Sequence, residues 1–187
     1  MASSLSVATL LGEVKESTRR ISELVAAVRS YSQLDRASMQ HVDVTDGLDS
    51  TLVMLGHKLR DGVTVVREYG ADVPRIDAYA GELNQVWTNL IDNAVDAMDG
   101  TGTLRVATHA EGGGVVVEIG DTGPGMPPQV AARAFEPFYT TKDVGKGTGL
   151  GLDIARRIVV DRHGGTIAID PRPGETVLVV RLPVRPR

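Results

Sequence analysis

"NLIDNAVDAM", residues 89–98, closes a longer run, "AGELNQVWTNLIDNAVDAM" (80–98), that ends at Gly100. The run is predicted to be one long helix. Asn89 and Asn93 are four residues apart and Asp96 lies three further on, so a helix carries all three on one face. Buried side-chain amides cost free energy unless they are paired. Two readings therefore stand. The amides cap or bridge to neighbouring loops, or Asn93 offers a neutral oxygen to a hard cation such as Mg²⁺, which keeps several waters and binds nucleotide phosphates.

Further along, "DTGPGM" (121–126) follows the strand pattern "GVVVEIGD" (114–121). Gly123 and Gly125 allow a tight turn and a close approach of a ligand to the backbone. Asp121, at the strand's end, can accept a hydrogen bond from an exocyclic amine such as adenine N6; ordinary turn chemistry is the alternative. Next come "FEPFYTTK" (135–142) and "GKGTGLGL" (145–152), the latter running into "LDIARRIVVDRH" (152–163). A glycine-rich turn entering a helix directs free amides and the helix dipole at an anion. It is not a P-loop, because Lys146 is followed by Gly147 rather than Ser or Thr. It is not the dinucleotide fingerprint either, because the sixth place from Gly145 is Leu150 and from Gly147 is Leu152.

Composition narrows the classes. The 187 residues are 42% hydrophobic with a formal charge of -4, which suits one sizeable core and disfavours non-specific nucleic-acid binding. With no cysteine there is no disulfide framework or thiolate metal site, so a reducing cytoplasm is expected. No apolar run approaches the ~18–20 residues that span a bilayer, and the first residues lack a basic signal-peptide start. Direct membrane contact by this chain is not expected, although the parent protein can be anchored.

Toward the N-terminus, Val7, Leu11, Val14, Thr18, Ile21, Val25 and Val28 alternate steps of four and three, with Leu10, Leu24 and Tyr31 beside them. This heptad seam predicts a long helix that packs on other helices, with a candidate homodimer surface over residues 7–32. "SQLDRASMQ" (32–40) reads as a hinge. "HVDV" (41–44) is predicted to be a strand, residues 46–62 a helix closed by Gly62, and "VTVVREY" (63–69) a strand followed by a loop containing Pro74. "TLRVATHA" (103–110) and "GVVVEIGD" form a hairpin around "EGGG" (111–114). Residues 123–151 hold only one short helical candidate, "PQVAARAF" (128–135); so long an irregular stretch is usually functional. A helix and the strands "GTIAID" (165–170) and "TVLVVRL" (176–182) end the chain. Helices alternating with mostly antiparallel strands predict a two-layer α/β sandwich behind a long N-terminal helix, divided into residues 1–38 and 39–187.

In this order the four motifs resemble the asparagine, first glycine, phenylalanine and second glycine boxes of the sensor histidine kinases. That family shares its superfamily with gyrase, heat-shock chaperone and mismatch-repair ATPases. The resemblance covers about residues 42–183 and implies a Bergerat-type ATP-binding fold, a mixed sheet with helices on one face. It assigns Asn93 to Mg²⁺ and Asn89 to the phosphate side. Asp121 is assigned to adenine, with Gly123, Gly125 and Met126 as the pocket floor. Lys142 and Lys146 would reach the terminal phosphates, cradled by the amides of Gly147, Thr148, Gly149, Leu150 and Gly151. Thr176, placed on the penultimate strand, would support Asp121. His163 is read as structural, near a helix C-terminus that favours positive charge.

Two departures matter. The superfamily's ATP hydrolases carry a water-activating Glu one turn before the Mg²⁺-binding Asn; Asn89 stands there and cannot act as a base, which favours phosphoryl transfer to a protein. Asp96 stands where many members carry a phosphate-binding Lys, a pattern similar to the nitrogen-regulator-like subgroup. In addition, the family's acceptor His is followed by an acidic residue. The four histidines here are followed by Val42, Lys58, Ala110 and Gly164, and His57 is read as a partly exposed helix residue. The first helix thus resembles the second helix of a dimerisation hairpin, and a His-bearing dimerisation helix and a response regulator receiver domain are the implied partners. The expectation is a truncated kinase that binds Mg-ATP without autophosphorylating alone. The alternatives are a nucleotide-sensing dimerisation module, or a stand-alone Ser/Thr kinase of the same superfamily, which the heptad helix disfavours.

Overall fold

The computed structural model describes residues 38–59, 62–142, 147–172 and 174–186, together with Val14 and Thr18. Of the predicted N-terminal helix, Val14 and Thr18 are helical and exposed, and the Thr18 hydroxyl donates to the Val14 carbonyl at 2.8 Å. The rest of that helix, the seam over residues 7–32 and most of the hinge lie outside the described residues.

The first strand is shorter than the expected one. β1 covers Gln40–Val42, and Asp43 turns the chain into a helix instead of extending the strand. Its carboxylate accepts from the Thr45 N–H at 3.0 Å and from the Thr45 hydroxyl at 2.6 Å, an N-cap that satisfies an otherwise orphaned amide. Those bonds also hold the Asp43 carboxyl below its ordinary pKa. The predicted 46–62 helix is two pieces, α1 (Val44–Met54) and α2 (Gly56–Leu59). The break falls beside Gly56, a poor helix former, while Leu55 and Leu59 both stay in the core.

β2 (Val63–Tyr69) follows, and then β3 (Ile76–Ala78), which sequence reading missed inside the loop after Pro74. β3 pairs antiparallel with β1 in a small separate sheet. Its three residues are too few to display a strand period. α3 (Ala80–Ala97) carries the asparagines and buries Leu83, Val86, Trp87, Leu90, Ile91 and Ala94 at steps of three and four. β4 (Gly102–Glu111) and β5 (Gly114–Asp121) form the expected hairpin. Its turn residues Gly112 and Gly113 have φ of 60° and 79°, the left-handed pair a tight hairpin requires.

Of "PQVAARAF" only α4 (Pro128–Ala131) is helical. α5 (Gly151–Arg157) passes into a wider π turn over Ile158–Arg162, and β6 (Thr166–Arg172) and β7 (Glu175–Pro183) complete the described chain. The main sheet has the order β2-β4-β5-β7-β6. It is antiparallel except for β2 with β4, which run parallel across the long connection that contains α3.

One core joins the layers. Leu48 and Leu52 of α1, the apolar face of α3, and Ile154 and Ile158 pack on Leu104, Val106, Val115, Val117, Ile119, Leu178 and Val180 of the sheet. Burying each such side chain stabilises the fold by about 1.5–3 kcal/mol before chain entropy is subtracted. This is the expected two-layer α/β sandwich with helices on one face of a mixed sheet. Among the described residues no helix is long and apolar enough to cross a membrane.

Candidate nucleotide site

Strand alternation decides where Asp121 points. Val115, Val117 and Ile119 belong to the core, so Asp121, in the same phase, lies on the helix side of β5. Thr176 has the phase of Leu178 and Val180, is opposite Asp121 in the ladder, and is also buried. It lies on the last strand, β7, rather than the penultimate one.

The Asp121 carboxylate is only 4% exposed, and one oxygen accepts the Gly123 N–H at 2.9 Å. Burial pushes its pKa up, partly offset by that bond, and the Glu175 charge adds to the rise. Gly123 is held equally closely: a Cβ there would lie 2.7 Å from Asp121 Oδ1 and 3.0 Å from the Ala97 carbonyl oxygen of α3. Gly125 has a φ of 80°, and Met126 is half-buried beyond it.

The other motif residues meet α3 one turn after another. The Asn89 side chain donates to the Gly151 carbonyl at 3.0 Å, tying the asparagine helix to the first residue of α5. Lys142 donates to the Asn93 side-chain oxygen at 3.5 Å and forms an ion pair with Asp96. From Asn89 to Ala97, one helix side therefore touches the second glycine stretch, the end of "FEPFYTTK" and the first glycine turn. Gly147 stands close to Lys142 and Thr140: a Cβ there would come within 3.1 Å of both side chains. The Thr148 hydroxyl accepts the Leu150 N–H at 3.3 Å, and Leu150 packs against the core. Lys146 lies outside the described residues.

Sequence reading missed two features of this arrangement. Phe138 has a φ of 65° and is 71% exposed, and its N–H donates to Gly149 O at 2.9 Å. Nothing short of backbone geometry reveals that pairing of two left-handed residues. The second feature lies behind α3. His163 is 1% exposed, accepts the Tyr79 N–H on Nε2 at 3.1 Å and donates from Nδ1 to the Ile158 carbonyl at 2.8 Å. The expected favourable helix-end charge is not what holds it: burial lowers its pKa, and Nε2 must be unprotonated to accept. Beside it, Arg162 pairs with buried Glu82 at 3.1 Å and lies 4.7 Å over the Tyr79 ring. His57, expected to be a partly exposed helix residue, lies in α2 and is exposed.

A strand-end carboxylate, a helix with a ladder of polar side chains and a glycine-rich turn entering a second helix thus make up the candidate nucleotide site of this α/β sandwich. Residues 79–186 match the family described as histidine kinase-, DNA gyrase B-, and HSP90-like ATPases, and the chain belongs to that family. The chain is 33% identical over 187 residues to the sensory histidine kinase/phosphatase NtrB of Rhodobacter capsulatus, an alignment covering 93% of this chain and 52% of that protein. It therefore spans about half the length of this relative. Among solved structures, the catalytic domain of histidine kinase ThkA aligns with a TM-score of 0.73 at 29% identity, over 80% of this chain and 97% of that one. Full-length ShkA in complex with AMPPNP aligns with a TM-score of 0.79 at 26% identity, over 94% of this chain and 38% of that one.

Proposed function

We propose that this chain is the ATP-binding catalytic part of a sensor histidine kinase, with residues 39–187 as the ATP unit and residues 1–38 as a dimerisation helix and hinge. The observation that carries the reading is the meeting of all four motifs along one side of α3, from the Asn89–Gly151 bond to the contact of Gly123 with Ala97. Asp121 accepts the adenine N6 hydrogen, backed by Thr176, while Gly123, Gly125 and Met126 form the pocket floor. Lys142 and Lys146 meet the terminal phosphates, and the amides from Gly147 to Gly151 cradle them.

Asn93 and Mg²⁺ suit each other. Asn93 would hold the ion through its neutral side-chain oxygen, a donor that suits a hard cation, and the nucleotide phosphates would supply further oxygens. The Asn93 oxygen already faces a cation, the Lys142 ammonium. When bound, Mg²⁺ supplies charge neutralisation on the phosphate oxygens.

Asn89 carries no base and has its amide on Gly151, which favours transfer over hydrolysis. The bond from the γ-phosphorus to the β–γ bridging oxygen breaks, an imidazole nitrogen of the acceptor His forms the new bond, and ADP leaves. The acceptor sits on a separate His-bearing dimerisation helix, and a response regulator receiver domain takes the phosphoryl group onward. A homodimer through residues 7–32, a cytoplasmic setting, and no direct contact with membrane or nucleic acid complete the reading.

The test is incubation with γ-labelled ATP, with and without a His-bearing dimerisation fragment. Acid-labile label on the fragment, and none on the chain alone, is the expected result. Acid-labile label on the lone chain would overturn the placement of the acceptor, and no label on either would overturn the kinase assignment.

A further inference from the structure

We infer that Asp96 is a positioning residue for Lys142, holding its ammonium beside Asn93 until the terminal phosphate of ATP takes it over, and that residue 96 thereby sets the discrimination between ATP and ADP. The inference rests on the ATP-binding reading and deepens it.

Three observations converge on Lys142. Its backbone N–H donates to the Thr140 hydroxyl at 3.2 Å, which fixes where the side chain leaves the loop. Its stem lies against the Gly147 backbone, where a Cβ would come within 3.1 Å of Lys142 Cδ. Its ammonium ends between the Asp96 carboxylate and the Asn93 oxygen, one helical turn apart on α3. A lysine stem is long and rich in rotamers, so a single placement of its head needs a partner that repays the lost freedom. Asp96 is that partner. The nearby carboxylate of Asp92 is engaged elsewhere, by Lys58 at 2.7 Å.

The charge arrangement has a consequence for ligands. A carboxylate and a phosphate compete for the same ammonium. With its β-phosphate as the last group, ADP leaves Lys142 on Asp96. ATP carries one further phosphate, which draws the ammonium away and separates the ion pair. Wild-type affinity for ATP is thus reduced by the strength of that pair, and affinity for ADP is not. The pair is partly exposed, 31% at Lys142 and 39% at Asp96, so the effect is modest.

Calorimetry with Mg-ATP and Mg-ADP on the whole chain tests this, using wild type, Asp96→Asn, Lys142→Met and the double variant. Both side chains are partly exposed, and an unchanged urea unfolding midpoint reports that the fold is intact. Asp96→Asn is expected to tighten ATP about threefold and leave ADP unchanged. Lys142→Met should weaken ATP and bring the two nucleotides together, and the double variant should match Lys142→Met. Weaker ATP binding by Asp96→Asn, or an Asp96→Asn effect that persists in the Lys142→Met background, would overturn the inference. An unchanged ATP affinity would overturn it as well while leaving the ATP reading in place. Failure of the wild-type chain to bind either nucleotide would remove the ATP reading, and the inference with it.

Discussion

The Nε2 atom of His163 accepts the backbone N–H of Tyr79 at 3.1 Å, although 84 residues separate them. Tyr79 is the N-cap of α3 and makes no capping bond with its own side chain there. The histidine thus completes the start of the asparagine helix from the far end of α5, through a ring that is fully buried and neutral.

The burial of this ring makes stability depend on pH. His163 has a native pKa below the ordinary value near ~6.5, because burial outweighs the Ile158 bond and the Glu82 charge, and Arg162 lowers it further. Between the two values the unfolded chain binds a proton that the native chain does not. Its contribution is therefore fully present above about pH 6.5 and declines as the pH falls through that window. Urea unfolding from pH 8 to pH 5 is expected to show this loss. In His163→Gln, whose amide oxygen can still accept from Tyr79, the slope should flatten. An equally steep slope in that variant would assign the effect to other groups.

Asp121→Asn should lower ATP affinity by tenfold or more with little change in the urea midpoint, since one oxygen remains for the Gly123 N–H while an amide meets the adenine amine. Gly123→Ala should lose affinity and also destabilise by about 1–3 kcal/mol, because its methyl would overlap both Asp121 and the Ala97 carbonyl. Calorimetry and urea unfolding separate the two outcomes, and unchanged ATP affinity in Asp121→Asn would refute the adenine assignment.

Gly149→Ala bears on the paired left-handed residues of the loop. Gly149 has a φ of 67°, and a Cβ there would lie 2.5 Å from the Phe138 carbonyl carbon. The backbone penalty alone is about 1–2 kcal/mol, and overlap with main-chain atoms adds to it. ATP affinity should fall roughly tenfold or more if this loop shapes the phosphate cradle. Wild-type affinity would place the loop outside the site.

Thr108 offers a gain. It lies on the core side of β4, 2% exposed, and its hydroxyl is buried without a hydrogen-bond partner among the described residues. Thr108→Val replaces the hydroxyl by a methyl of similar size and is expected to raise stability by about 1 kcal/mol, read from the urea midpoint. A loss of stability would mean that the hydroxyl has a bridging water.

Much of the architecture was legible because it rests on local periods. The three-and-four spacing of α3, the apolar run of β5 and the paired glycines at 112 and 113 each depend on neighbours in sequence, and each element appears where its pattern placed it. β3 and the end of β1 did not. β3 has three residues and owes its existence to β1 and to a bond from the Asp77 N–H to the Val184 carbonyl, partners from distant parts of the chain.

The division is the same at the candidate site. Side-chain chemistry, turn-forming glycines and motif order belong to the sequence, and these alone single out Asn93, Asp121 and Lys142 as candidate site residues. Which group a polar side chain meets was settled only when distant segments packed together: Asn89 on Gly151, Lys142 on Asp96, His163 on Tyr79. A periodic pattern records which face of an element is buried. A polar contact between elements depends on the distance and direction left after the core has packed, and no local pattern encodes that.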